Sequence, residues 1–179
     1  MSTHDVYGLG NALVDVEFEV TEDFLKKMNI EKGLMTLVNE KRQTELLEVL
    51  QRGQHKRNCG GSAANTMIAM AQFGGNPFYS CKVADDEMGD FYYKDLLSEG
   101  VKNNLEKVQR QKGTTGKCMV LITPDAERTM NTDLGISQTF STNELIEDEI
   151  VKSKYLYVEG YLVTSPTGKK AAMEALDIA

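Results

Sequence analysis

The sequence predicts an α/β fold: a parallel sheet with helices on its faces, accompanied by a second, smaller sheet. Three observations predict it. From residue 62 onward, short apolar strand patterns alternate with helical ones, the order that builds a parallel sheet covered on both sides. Around residues 14–20, 33–38 and 117–132 the strand patterns do not alternate with helices so regularly, and these segments can form a separate small sheet packed as a lid. A chain of 179 residues with ordinary globular composition is long enough for one such domain with a real core.

In order along the chain, Val6 to Leu9 reads as a short buried strand ending in Gly8-Leu9-Gly10-Asn11. Val14-Asp15-Val16-Glu17-Phe18-Glu19-Val20 alternates apolar and acidic residues, as a strand with one wet face does. Thr21, followed by Glu22 and Asp23, caps a short helix through Met28. Gly33 to Val38 is a strand, and Asn39 to Leu50 is an amphipathic helix with Leu46, Leu47 and Leu50 on one side. Ser62 to Phe73 is a helix stopped by Gly74-Gly75. Pro77 to Val83 is a strand, and Met88 to Glu99 is a helix closed by Gly100. Lys117 to Thr123 and Arg128 to Thr132 are strands around the turn Pro124-Asp125-Ala126-Glu127. Thr142 to Val151 is helical, Lys154 to Glu159 is a strand, and Pro166 starts a helix still running at Ala179. That helix has no stop signal, and the sheet would be left with an open edge. The chain therefore reads as the front part of a longer protein.

Charge and composition exclude several function classes. A net charge of -7 argues against a nucleic-acid surface, and His55-Lys56-Arg57 reads as a solvated loop. No stretch approaches the roughly 18 apolar residues of a membrane span, and the N-terminus lacks the basic and apolar regions of a signal peptide. Three widely spaced cysteines, Cys59, Cys81 and Cys118, fit reduced thiols, so the chain is expected to be cytoplasmic. His4, in the terminal segment, reads as an inert surface residue; with His55 the only other histidine, a histidine triad or metal site is disfavoured. Gly8-x-Gly10 opens a dinucleotide fingerprint, but Leu13 stands at the third glycine position. Asp85-Asp86-Glu87 is explained as negative charge at a helix N-terminus.

One stretch carries chemistry. In Cys59-Gly60-Gly61-Ser62-Ala63-Ala64-Asn65, a double glycine opens an apolar helix and an asparagine sits one turn in. Glycines let a ligand approach main-chain N–H groups, and the first amides of a helix have no internal partners. That arrangement suits a polyhydroxylated molecule or an anion; the same residues also serve as a plain turn and helix start.

Four segments resemble the ribokinase family of sugar and nucleoside kinases: Gly8-Leu9-Gly10-Asn11-Ala12-Leu13-Val14-Asp15, the Cys59 to Asn65 motif, Lys82-Val83-Ala84-Asp85-Asp86-Glu87-Met88-Gly89, and Tyr157-Val158-Glu159-Gly160-Tyr161. They occur in family order, and Asn11 with Asp15 looks most like the adenosine-kinase branch. The resemblance implies a ribokinase-like α/β fold, with a parallel sheet flanked by helices and a small β-sheet lid, here truncated. It implies that Asp15 grips two adjacent sugar hydroxyls, as a carboxylate can accept from both. It implies further acceptor contacts from Asn11, Gly60, Gly61, Asn65 and Glu159. Glu159 beside Gly160 equally reads as the cap of a turn, and Tyr161 as a stacking or a core residue.

The family's catalytic aspartate lies in a Gly-Ala-Gly-Asp loop, and no such loop occurs here. The resemblance thus implies that the chain carries the acceptor-binding half of a kinase. The phosphoryl-transfer half, with most of the Mg2+ and ATP contacts, would lie in a missing C-terminal part. No catalytic or metal-binding residue is assigned to the chain, which alone is expected to be inactive. The complete enzyme would transfer the γ-phosphoryl of ATP to a primary hydroxyl of a nucleoside or sugar. The rival reading is a non-catalytic sugar- or nucleoside-binding domain. Exposed lid strands offer an edge for a homodimer.

Overall fold

The computed structural model describes residues 3–50 and 55–179. Its strands are β1 (His4–Leu9), β2 (Leu13–Glu19), β3 (Met35–Leu37), β4 (His55–Gly60), β5 (Pro77–Ser80), β6 (Lys102–Asn103), β7 (Thr115–Ile122), β8 (Arg128–Gly135) and β9 (Ser153–Val158). Its α-helices are α1 (Glu22–Lys27), α2 (Glu40–Leu50), α3 (Ser62–Gln72), α4 (Glu87–Ser98), α5 (Glu147–Val151) and α6 (Pro166–Ile178). Four strands form one sheet in the order β6-β5-β1-β9, every pair parallel. Five strands form a second sheet in the order β3-β8-β7-β2-β4, which is mixed. In it β2 runs parallel to β7 and β3 to β8, while β7–β8 and β2–β4 are antiparallel.

Local chemistry explains the helix ends. The Thr21 side chain accepts from Phe24 N–H at the start of α1, and Pro166 occupies the first turn of α6, where its missing N–H costs nothing. Asp86 caps α4 through Gly89 N–H at 2.7 Å. The same carboxylate accepts from Thr115 N–H at 2.9 Å and Thr115 Oγ1 at 2.6 Å, tying the start of β7 to the start of α4. Asp86→Ala removes a cap and two bonds between elements. It is expected to lower the unfolding free energy by about 2–3 kcal/mol, read as a lower urea midpoint with unchanged slope.

Apolar side chains divide into two cores. Even-numbered β2 residues Val14, Val16 and Phe18 pack with Leu25, Leu46, Leu50, Met119 and Leu121; this core continues to α3 and α4 through Met67, Tyr92 and Leu96. The second core lies on the other face of the parallel sheet, where Tyr7, Leu9 and Phe78 meet Ile150 of α5 and Ala171, Ala172 and Ala175 of α6. The parallel sheet is thus covered on both faces. Among the described residues no helix is long and apolar enough to cross a membrane.

Three expectations need correction. The segment from His55 is not a loop but strand β4, held by antiparallel pairing in which Arg57 stands opposite Val16 and Asn58 opposite Asp15. His4 is not a surface residue: it pairs with Ser153 inside β1, is 4% exposed, and its Nε2 lies 3.0 Å from Glu149 Oε2. The segment 142–151 is two short helices. A 3-10 turn (Thr142–Glu144) and α5 are separated where Leu145 turns extended and the Tyr7 hydroxyl accepts from Ile146 N–H at 3.0 Å.

Candidate functional site

Strand alternation builds the site. With Val14, Val16 and Phe18 committed to the core, Leu13 and Asp15 are turned to the opposite face of the mixed sheet. There they meet Met130, Thr132 and Leu134 of β8, Met35 and Leu37 of β3, and Cys118 of β7. Facing them are Asn11 beyond β1, Glu159 and Tyr161 beyond β9, and Gly61, Ser62 and Asn65 at the start of α3. Together they enclose a cleft of about 400 Å³. The carboxyl-terminal ends of β1 and β9 open into it, the position where open α/β sheets place ligands.

Asp15 is the titratable group that the cleft perturbs most plainly. Burial pushes its carboxyl up to about 6; Arg128 opposes that shift and Glu17 adds to it. No hydrogen bond is among the causes acting on it. A half-buried carboxyl without a donor is costly unless something else supplies one. Arg128 itself pairs with Glu17 at 3.6 Å and is half exposed. Burial holds the Cys118 thiol at about 11, so it stays protonated beside Asp15 rather than acting as a nucleophile.

The double glycine is dictated by what it touches. A Cβ on Gly60 would lie 2.1 Å from Asp15 Oδ1, so the carboxyl occupies the space a side chain would need. Gly61 has φ +98°, and a Cβ there would meet the Asn11 carbonyl oxygen at 2.3 Å. Two buried tyrosine hydroxyls hold the same turns from behind. Tyr92 donates to the Gly60 carbonyl at 3.0 Å and Tyr79 to the Asn11 carbonyl at 3.3 Å. Ser137 Oγ accepts from Ala12 N–H at 2.9 Å and lies 3.4 Å from Asn11 Oδ1.

Asn11, Asp15, Gly61, Asn65 and Glu159 are all brought to the cleft, whereas Gly60 lies beneath Asp15 and does not line it among the described residues. Asn65 is exposed at the cleft, and Tyr161 stands at its mouth, 57% exposed rather than in the core. Sequence reasoning missed the β8 wall beyond Thr132, together with Ser137, Tyr79 and Tyr92. The alternation Met130, Thr132, Leu134 was the available signal for the wall; nothing local marks the tyrosines.

A family model described as pfkB family carbohydrate kinase matches residues 34–179. The chain belongs to the pfkB family. Among its relatives, the adenosine kinase of Saccharomyces cerevisiae is 31% identical over 164 residues, covering 87% of this chain and 47% of that protein. Two solved structures superpose closely on this pfkB chain. A probable sugar kinase from Rhizobium etli CFN 42 has TM-score 0.92 and 32% identity, over 100% of this chain and 53% of that one. The adenosine kinase of Sinorhizobium meliloti has TM-score 0.91 and 36% identity, over 99% of this chain and 54% of that one. The ribokinase-like α/β fold expected from the four motifs is therefore the fold of this chain. It spans about half the length of the curated relatives it matches.

Proposed function

We propose that this pfkB chain is the acceptor-binding half of an ATP-dependent nucleoside or sugar kinase, with an adenosine-like nucleoside as the preferred acceptor. The observation that carries the reading is Asp15: a half-buried carboxyl, pushed up to about 6 and given no hydrogen bond by the fold, on the wall of an apolar cleft. A vicinal diol supplies the two donors it lacks. Asn65, the Gly61 amide and Asn11 add polar contacts, while Leu13, Leu134, Met35 and Met130 offer a wall suited to a flat base. The relatives named adenosine kinase support the same acceptor.

In this reading the mixed sheet is a lid that closes over the acceptor and keeps water from the transferring phosphoryl group. Among the described residues no group of three or more His, Cys, Asp or Glu is arranged to hold a metal. The reading assigns Mg2+, most of the ATP contacts and the catalytic base to the half of the relatives' length that this chain does not cover. It assigns to this chain the positioning of the acceptor hydroxyl, a large share of phosphoryl-transfer catalysis.

Calorimetry with adenosine, other nucleosides and free sugars tests it. Adenosine is expected to bind, and Asp15→Ala to weaken binding about 30- to 100-fold, the loss of a charge-assisted pair of hydrogen bonds. Because only the ionised carboxylate accepts from both hydroxyls, affinity should rise with pH through about 6 and level off above it. Binding that is flat in pH and indifferent to Asp15→Ala would refute the assignment. Sugar binding without nucleoside binding would move the acceptor to the sugar kinases.

A further inference from the structure

Glu159 belongs to the cleft, yet its carboxyl oxygens are already committed. The side chain is 3% exposed. Its Oε2 accepts from Asn11 N–H at 2.6 Å; its Oε1 accepts from Ser62 Oγ at 2.5 Å and, at 3.4 Å, from Ala63 N–H. Helix α3 has Gly61 at its N-cap position, with no side-chain cap of its own. Glu159 thus reaches from the end of β9 to cap a helix that begins 97 residues earlier. It pins the turn after β1 to the same point.

A helix N-terminus with free amides is where an anionic group of a ligand would normally be received. Here a carboxyl of the protein already accepts from one of those amides, Ala63 N–H, and from the Ser62 hydroxyl beside it. No described residue lining the cleft is Lys, Arg or His, and a second carboxyl, Asp15, faces the same space. The cation acting on Asp15 is Arg128, which is not among the lining residues and is paired with Glu17.

We propose that Glu159 determines specificity: by occupying the N-terminus of α3 with the protein's own carboxylate, it restricts the cleft to neutral acceptors and rejects phosphorylated or carboxylated ones. This is discrimination by repulsion: a competing anion meets two carboxyls and, among the described lining residues, no cation. The identity of the neutral acceptor rests on the function proposed above; the effect of the charge does not.

The test adds sodium acetate, inorganic phosphate and adenosine separately to the chain in a calorimeter at neutral pH, comparing wild type with Glu159→Ala and Glu159→Gln. Wild type is expected to give no saturable heat with either anion. Glu159→Ala, which vacates the site, should bind acetate saturably. It should lose about tenfold in adenosine affinity and regain most of that loss when acetate is present, because the small carboxylate restores the cap. A glutamate with no part in excluding anions would leave both variants as indifferent to acetate and phosphate as wild type. Should Glu159→Ala fail to fold, Glu159→Gln keeps the size and removes the charge; it should take phosphate at least about tenfold more tightly than wild type. A folded Glu159→Ala that binds no anion, a Glu159→Gln no better than wild type, or a wild type whose cleft takes phosphate would overturn the proposal. If adenosine binds no variant while Glu159→Ala still takes acetate, the nucleoside reading fails and the assignment of Glu159 stands.

Discussion

Asp15→Asn is expected to make the chain more stable and less able to bind at the same time. Burial raises the Asp15 carboxyl from its ordinary 3.8 to about 6, so the fold favours the neutral acid. Ionised Asp15 costs nothing below about 3.8. Its cost grows between 3.8 and about 6 and stands in full at neutral pH. Asparagine has nearly the same shape and no charge. At neutral pH the variant should gain roughly 1–3 kcal/mol, discounting the shift for the partial exposure of the group. That corresponds to a melting temperature higher by several degrees, about 2–4 °C for each kcal/mol in a chain of this size. Below pH 4 the two proteins should melt together. An amide has one accepting oxygen where the carboxylate has two, and no charge, so the bidentate grip is lost and diol affinity should fall about 30- to 100-fold. Equal melting curves across the whole pH range would mean that the carboxyl is well solvated in the folded protein and would overturn the prediction.

Gly61→Ala is expected to be among the most damaging single changes available to this chain. Two penalties coincide there. The backbone sits at φ +98°, which L side chains rarely adopt, and the new Cβ would lie 2.3 Å from the Asn11 carbonyl oxygen, a backbone atom with no rotamer to escape into. Asn11 is itself fixed by Tyr79 and by the Glu159 carboxylate, so neither partner can yield cheaply. Gly74→Ala separates the two effects: φ is +86° and nothing lies within 4 Å of its Cβ position. The Gly74 variant should lose about 1–2 kcal/mol from backbone conformation alone. Gly61→Ala should lose about 3–5 kcal/mol, with overpacking added, and should bind no acceptor. Urea unfolding of both proteins decides it; equal losses would show that the turn opens without cost.

Much of the fold was legible because its signals are local. Thr21, Asp86 and Pro166 mark helix starts by chemistry that depends only on neighbouring amides. Asp15 was legible as a residue type in an alternating strand. What escaped depends on distant partners. In β4, His55-Lys56-Arg57-Asn58 shows no apolar alternation; the strand exists because β2 lies alongside it and Asp95 accepts from Cys59 N–H at 2.7 Å. The break between Leu145 and Ile146 depends on Tyr7, far away in sequence. Gly60 looked like a source of backbone amides, but it leaves room for a carboxyl from another strand, which no spacing rule reveals. Glu159 was read as either a cap or a ligand contact. It caps a helix from the far end of the chain while lining the cleft.

The bond from Asn11 N–H to Glu159 spans 148 positions, and this has a consequence for biosynthesis. A ribosome adding about 5–20 residues per second needs roughly 7–30 s between the two. Throughout that interval the turn after β1 must wait, joined once it is made by the uncapped start of α3, and β1 lacks the neighbour that will complete its sheet on that side. The nascent chain therefore exposes an apolar strand and an open strand edge for seconds, long enough for a chaperone to bind. Slowing translation just before codon 159 should lengthen that vulnerable period, whereas a pause after α6 has emerged should have little effect on it.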